Sequence, residues 1–253
     1  MQIHRFFLSS KSVDKHRVTI CDRKIVYQIR KVLRLSKGDL FEALDGSGWL
    51  FTCQIESITP DSVITKIVKQ KEIGLLPSIR ISVALPLLRG GRFELAIQKL
   101  TELGATGIIP VCCQRSVIRT TDDTKLNHFR AIIREAVEQS EGTFLPSLHG
   151  LTSFTDLVTN KSLSLTNYMP ILCLERSDAD RHMLQHLLYE QQGSSVPPEN
   201  ILIVVGPEGG LTPEEVALAK RHHFNLVSLG NRVLRSETAA IFALAQVVAR
   251  FDR

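Results

Sequence analysis

Apolar and polar residues follow two rhythms along this chain. Up to about residue 72 the apolar runs are short and separated by turn residues. Leu40-Phe41-Glu42-Ala43-Leu44 leads to Asp45-Gly46-Ser47-Gly48. Trp49–Ile58 comes next, and Thr59-Pro60-Asp61-Ser62 turns into Val63-Ile64-Thr65-Lys66-Ile67-Val68. Short β-rich runs with turns at close spacing predict a meander or a small barrel. Ahead of them, residues 24–35 place Ile25, Ile29, Val32 and Leu33 at helical spacing, which predicts a short helix. Residues 69–77 read as a linker.

From about residue 78 strands and helices alternate. The pattern predicts strands at 79–85, 107–113, 171–174, 201–205 and 226–229, and helices at 92–103, 124–141, 178–191, 213–224 and 237–251. This alternation implies an α/β fold, a mostly parallel sheet flanked by helices. Thr212 is placed to cap the fourth helix, Pro213 suits its first position and Glu215 completes a capping box. The final helix is apolar almost all round, so it is expected to be buried.

Two loop motifs carry the chemistry. The apolar run Ile201-Leu202-Ile203-Val204-Val205 ends in Gly206-Pro207-Glu208-Gly209-Gly210. The second motif is Leu229-Gly230-Asn231-Arg232-Val233-Leu234-Arg235-Ser236-Glu237-Thr238-Ala239. A continuous β-branched run reads as a buried strand, and open α/β sheets bind ligands in loops at such strand ends. Glycines there let main-chain groups approach a ligand that a Cβ would hold off. The spacing fits neither the dinucleotide Gly-x-Gly-x-x-Gly nor the phosphate-binding loop that ends in Gly-Lys-Ser/Thr. No Gly-x-Ser-x-Gly elbow and no His-Glu-x-x-His occurs. What remains is a Gly-rich cradle flanked by Arg232, Arg235 and Glu237, suited to an uncharged heterocycle such as adenine.

Composition narrows the class. The 253 residues are 43% hydrophobic and 23% charged, as in ordinary globular proteins. No apolar stretch approaches the roughly 20 residues of a membrane span. The opening Met1-Gln2-Ile3-His4-Arg5-Phe6-Phe7 has no signal-peptide pattern, so a cytoplasmic protein is expected. Five unpatterned cysteines, at positions 21, 53, 112, 113 and 173, read as reduced thiols. No zinc site is expected from them or from His222-His223. Residues 1–72 hold 13 Lys and Arg against 8 Asp and Glu, whereas residues 73–253 hold 18 of each. The whole formal excess of +5 therefore lies in the first quarter, as a nucleic-acid anchor requires; a merely solvated basic surface fits equally.

Taken together, Gly206-Pro207-Glu208-Gly209-Gly210-Leu211 and the 229–239 motif resemble the RsmE family of ribosomal-RNA uridine N3-methyltransferases, of the SPOUT class. Ile3-His4-Arg5-Phe6-Phe7, Arg92-Phe93-Glu94, Gln98-Lys99-Leu100-Thr101-Glu102-Leu103-Gly104 and Glu135-Ala136 with Glu138-Gln139-Ser140 agree in order along the chain. The resemblance implies a PUA-like β-barrel over residues 1–72 that anchors RNA. It implies a SPOUT domain over 73–253 with a deep trefoil knot, S-adenosylmethionine as methyl donor, a homodimer, and small-subunit ribosomal RNA or the assembled subunit as partner. Three loops would hold the cofactor. The first is Leu174 and Glu175. The second is Gly206, Pro207, Glu208, Gly209 and Gly210. The third is Leu229, Gly230, Arg232, Val233 and Leu234 with Thr238 and Ala239. Arg5, Arg89, Arg92, Lys99 and Gln139 are candidates for RNA contact.

Uridine N3 carries a proton at neutral pH, so its methylation needs a proton acceptor or cations that stabilise the uridinate. Arg235 is the candidate anion stabiliser and Glu237 the candidate base; a capping or bracing role fits each equally. Glu208 is as well suited to orienting its loop. The chain departs from the family at Arg89-Gly90-Gly91, where Lys-Gly-Asp is frequent, and at His128-Phe129, where Arg-Trp is frequent. A third departure is Glu141-Gly142-Thr143, where an arginine often stands. All three lie outside the glycine loops. Three alternatives stay open: methylation at another RNA position, such as a ribose 2′-OH; a non-catalytic RNA-binding assembly factor; and an α/β oxidoreductase, which predicts nicotinamide binding.

Overall fold

The computed structural model describes residues 4–8, 12–14, 16–46, 48–73, 77, 79–159, 168–175, 182–192 and 198–251. The chain divides into two compact units. One is Met1–Pro77 with Val137–Leu145, and the other is Ser78–Ala136 with Pro146–Arg253.

The first unit contains β1 (Arg5–Phe7), β2 (Val13–Asp14), β3 (Arg17–Ile20), α1 (Arg23–Tyr27), β4 (Leu40–Leu44), β5 (Trp49–Ile58) and β6 (Val63–Glu72). They form a six-stranded sheet in the order β1-β4-β5-β6-β3-β2. The β1–β4 pair is parallel and the others are antiparallel. On β5 every second residue, Phe51, Cys53 and Ile55, is buried, the alternation of a sheet with one face on a core. Phe6 and Phe41 meet edge to face there, with ring centroids 5.5 Å apart. The predicted Thr59–Ser62 turn closes through Thr59 N–H to the Ser62 carbonyl at 2.8 Å, and the Thr59 hydroxyl accepts from Ser62 N at 2.9 Å.

Two expectations for this region are corrected. The helix at 24–35 is α1 followed by a π-helical segment, Gln28–Val32, and Arg34 ends it at a φ of 54°. The wider π turn rotates the apolar stripe. Ile25 and Ile29 stay buried, while Val32 is 62% exposed. The linker at 69–77 is strand as far as Glu72, because β6 continues to pair with β5 through Trp49↔Glu72 across two register shifts. Residues 74–76 lie outside the described ones.

The second unit contains β7 (Arg80–Pro86), α2 (Arg92–Glu102), β8 (Gly107–Cys112), α3 (Asp123–Gln139, whose last turn counts with the first unit), β9 (Ser147–Leu148), β10 (Thr152–Ser153) and α4 (Phe154–Val158). It continues with β11 (Tyr168–Leu174), β12 (His182–Met183), α5 (Leu184–Gln192), β13 (Asn200–Val205), α6 (Pro213–Arg221), β14 (Asn225–Ser228) and α7 (Ser236–Phe251). Seven strands run β10-β8-β7-β13-β11-β14-β12, β9 pairs with β8, and every pair is parallel.

β13 sits inside this sheet and all six of its residues are buried, which is why it reads as an unbroken apolar run. Leu202 and Val204 pack with Phe154 and Leu157 of α4 and Ala219 of α6. α7 lies on α2, β7 and β13. It is buried along one face through Ala240, Ala243, Leu244 and Val247, whereas Phe242 is 41% exposed, so burial is not all round as its composition led us to expect.

Three boundaries differ from expectation. β11 begins at Tyr168, three residues early. Pro170 lies inside it, opposite Leu202, but β14 starts pairing only at Ile171, so the strand is still an edge on that side. α3 stops at Gln139, and Glu141 takes a φ of 55°. The helix expected at 178–191 is α5, starting at Leu184; residues 178–181 lie outside the described ones.

Candidate active site

The carboxyl ends of β11, β13 and β14, neighbours in the sheet, open onto one cavity of about 430 Å³. Its volume is in the range of small-molecule sites, and its position is where parallel sheets bind ligands. β11 delivers Cys173, Leu174 and Glu175, β13 the 206–210 loop, and β14 the loop from Leu229 to Arg235.

The first loop is a tight turn. Gly210 N–H donates to the Pro207 carbonyl at 2.8 Å, and Gly210 has a φ of 70° that favours glycine. Side chains from elsewhere tie it down. Arg115 Nη1 donates to the Gly209 carbonyl at 2.9 Å, Ser236 Oγ donates to the Gly206 carbonyl at 2.8 Å, and Glu208 is paired with Arg92 of α2. The second loop turns at Gly230, φ 126°, through local bonds of its N–H and carbonyl with the Ser228 hydroxyl at 3.3 and 3.2 Å. Arg232, Val233 and Arg235 beyond it are exposed.

Three arginines, Arg115, Arg232 and Arg235, and two carboxylates, Glu175 and Glu208, line the cavity. Burial pushes the Cys173 thiol up to about 12, so it is protonated at neutral pH and is no nucleophile. The site offers cations, main-chain dipoles and two acceptors.

Of the residues expected to hold a cofactor, Leu174, Glu175, Gly206, Pro207, Glu208, Gly209, Gly210, Leu229, Gly230, Arg232, Val233, Leu234 and Ala239 line this cavity, as does Arg235. Thr238 and Glu237 do not. Thr238 is exposed, and Glu237 is buried in the first turn of α7, where its Oε2 has no hydrogen-bond partner. Arg115 and Ser236 were missed. Ser236 lies within the second motif, and the only signal for Arg115 was its place just after a predicted strand.

The residues expected to contact RNA are dispersed. Arg5 lies within the first unit, bonded to Glu42 at 2.7 and 3.0 Å and to the Glu141 carbonyl. Arg92 is engaged by Glu208 and, through Nε, by the Arg89 carbonyl at 3.0 Å. Lys99 pairs with Glu102 at 2.8 Å. Arg89 and Gln139 are exposed. Phe129, at one departure from the family pattern, is fully buried against Phe93 with centroids 4.7 Å apart, so it fills core rather than offering a stacking face.

Comparison with known proteins bears on what such a cavity does. The family described as RNA methyltransferase domain matches residues 76–248, and that described as RNA methyltransferase PUA domain matches residues 29–68. The ribosomal RNA small subunit methyltransferase E of Synechocystis is 33% identical over 251 residues, covering 98% of this chain and 78% of that protein. The Bacillus subtilis protein of the same name is 30% identical over 235 residues, covering 88% and 86%. Among solved structures, a Legionella pneumophila protein described as a methyltransferase, in complex with bound S-adenosylmethionine, superposes with a TM-score of 0.83 at 25% identity, covering 98% of each chain. With its glycine loops set at the ends of parallel strands, and likeness over nearly its full length, the chain belongs to the ribosomal RNA small subunit methyltransferase E family.

Proposed function

We propose that the protein transfers a methyl group from S-adenosylmethionine to N3 of a uridine in small-subunit ribosomal RNA. The observation that carries this reading is the cavity of two glycine loops and three arginines in a chain of this family. The lining fits the donor. Main-chain edges around Gly206–Gly210 and Leu229–Gly230 suit adenine, while the arginines and glutamates offer both signs of charge for an amino-acid tail.

The bound donor supplies an electrophilic sulfonium methyl. Arg235, exposed at the cavity, would hold the negative charge that develops on the uracil oxygens as N3 gives its proton to solvent water, which lowers the barrier where charge appears. Glu237, buried and outside the lining, would serve the positive end of α7 instead of acting as the base. The loops at Gly206–Gly210 and Leu229–Gly230 would hold the donor beside the acceptor base, and such positioning would supply much of the rate. The protonated Cys173 adds an apolar wall and takes no proton.

The wider assignment rests on the family resemblance. Residues 1–72 act as a basic, RNA-anchoring PUA-like barrel. The sheet order leaves β1 and β2 at its two ends, and no pair joins them among the described residues, so closure into a barrel belongs to this proposal. Residues 73–253 form the knotted SPOUT unit. Its support is that β13 and β14 flank β11 while their loops meet at one cavity, although threaded chains are rare. A cytoplasmic homodimer completes the reading. Among the described residues no helix is long and apolar enough to cross a membrane.

The test is transfer of labelled methyl from S-adenosylmethionine to unmethylated small ribosomal subunits, followed by nucleoside mass spectrometry. Label in 3-methyluridine supports the reading. Label in another nucleoside keeps the methyltransferase and removes the N3 specificity; no label despite binding of donor and subunit removes catalysis.

A further inference from the structure

We infer that Arg115, at the end of β8, is a positioning residue for the methyl donor, acting through the Gly209–Gly210 peptide. The inference rests on the cofactor reading above. A peptide unit is rigid, so its carbonyl and N–H turn together. Here both ends are held: the Gly209 carbonyl accepts from Arg115 Nη1 at 2.9 Å, and Gly210 N–H donates to Pro207 at 2.8 Å. A methyl on Gly209 would sit 3.3 Å from Arg115 Cβ and 3.6 Å from Cδ, so the side-chain stem also lies against this glycine. The head sets which way the peptide faces, and the stem sets how far the loop stands from β8.

Arg115 is itself held. Ser116 N–H donates to the Cys113 carbonyl at 3.1 Å and Cys113 N–H to Ser116 Oγ at 2.9 Å, closing the turn that presents it. Glu215 accepts Gln114 N–H at 2.7 Å through one oxygen and Thr212 N–H at 2.9 Å through the other. The turn is therefore anchored to the start of α6, the helix that follows the glycine loop. Arg119 Nη1 adds a bond to the Gln114 carbonyl at 2.9 Å. Without the guanidinium, the peptide between two glycines would keep only the Gly210–Pro207 bond against turning over, and the cavity wall would lose one of the two bonds that fix its shape.

The experiment compares wild type with R115A, R115K, G209A and the R115A/G209A double variant in the full chain. It reads donor dissociation constant by calorimetry, kcat per donor-binding site on small ribosomal subunits, and Tm. The expected result is a kcat for R115A lower by roughly tenfold or more at saturating donor, with R115K recovering part of it. G209A should cost activity in the wild-type background and less in R115A, because the Cδ contact is then gone and a loop no longer held by the guanidinium can shift away from the Cβ that alanine keeps. A kcat and dissociation constant for R115A within about twofold of wild type overturn the inference, as do additive losses or losses that only follow Tm. Wild type that binds no donor would overturn the cofactor reading itself, and this inference with it.

Discussion

The two loops that meet over the cavity are built to opposite plans. The 206–210 loop is bonded from outside at three successive places: Ser236 to the Gly206 carbonyl, Arg92 to Glu208, and Arg115 to the Gly209 carbonyl. The loop after β14 turns on the local Ser228–Gly230 bonds, and it leaves Val233 62% exposed. A glycine-rich segment has the most conformational freedom to lose, so the first loop needs external partners to keep one shape. On the proposed reading, the second loop, with its exposed Arg232 and Arg235, adjusts to an RNA base. On that reading one wall is fixed for a small donor, and the other, beyond the Leu229–Gly230 edge that also faces the donor, is left for a large acceptor.

The largest effect expected from this contrast is chemical protection beneath the fixed wall. With the Cys173 thiol pushed up from 9.0 to about 12, its alkylation near pH 8 should be about a thousandfold slower than that of an ordinary thiol. Iodoacetamide labelling with peptide mass spectrometry checks this against the exposed Cys21. Loosening the first loop by R115A should speed Cys173 labelling more than any change at Val233 does. The same shift has a pH signature. The folded thiol keeps its proton where the unfolded one loses it, so its contribution is intact below pH 9.0 and declines as pH rises toward about 12. Stability of wild type against C173A over that range measures it.

Next in size is the adaptable wall. Arg235→Ala should lower kcat by about a hundredfold while the donor dissociation constant moves little, the split expected of a group that stabilises charge only in the transition state. Donor calorimetry and single-turnover transfer separate the two. If donor affinity falls as much as kcat does, Arg235 belongs to the fixed wall and the contrast fails.

A smaller effect is expected at the hinge of the second loop. Gly230 has a φ of 126° with nothing within 4 Å of an added Cβ, so Gly230→Ala is opposed by backbone strain alone, about 1–3 kcal/mol. Urea denaturation reads that cost. The smallest belongs to the Arg92–Glu208 pair, whose side chains are 28% and 41% exposed. Its coupling in a double-mutant cycle should be about 0.2–1 kcal/mol and should fade at high salt. A coupling that survives salt would make this pair a larger part of the fixed wall than its exposure allows.

Much of the fold was legible because it is local. The apolar run at 201–205, the turn at 59–62 and the capping box at Thr212 and Glu215 each depend on residues within a few positions, and all three form. The glycine loops were legible for the same reason, since only glycine freely takes the φ of Gly210 and Gly230. The π-helical segment at Gln28–Val32 was not, because one extra residue per turn leaves composition unchanged. The end of α3 was missed because the last turn, with its Val137–Leu145 continuation, packs with a unit more than a hundred residues earlier, where Phe7 N–H reaches Glu138 at 3.2 Å.

The sequence alone determined the alternation of the longer strands and helices after residue 78, the two glycine loops and their place at strand ends, because periodicity and backbone stereochemistry act over a few residues; the short β9, β10, β12 and α4 carry too few residues to show a period. Only the tertiary structure decided what the charged side chains do. It set Arg92 against Glu208, Arg5 against Glu42, Arg115 against Gly209, and Glu237 inside the protein instead of in the cavity. Each of those three pairings spans between 37 and 116 positions of chain. Such partners are fixed by which distant backbones the parallel sheet brings together, or β1 and β4 in the first unit, and no local pattern carries that information.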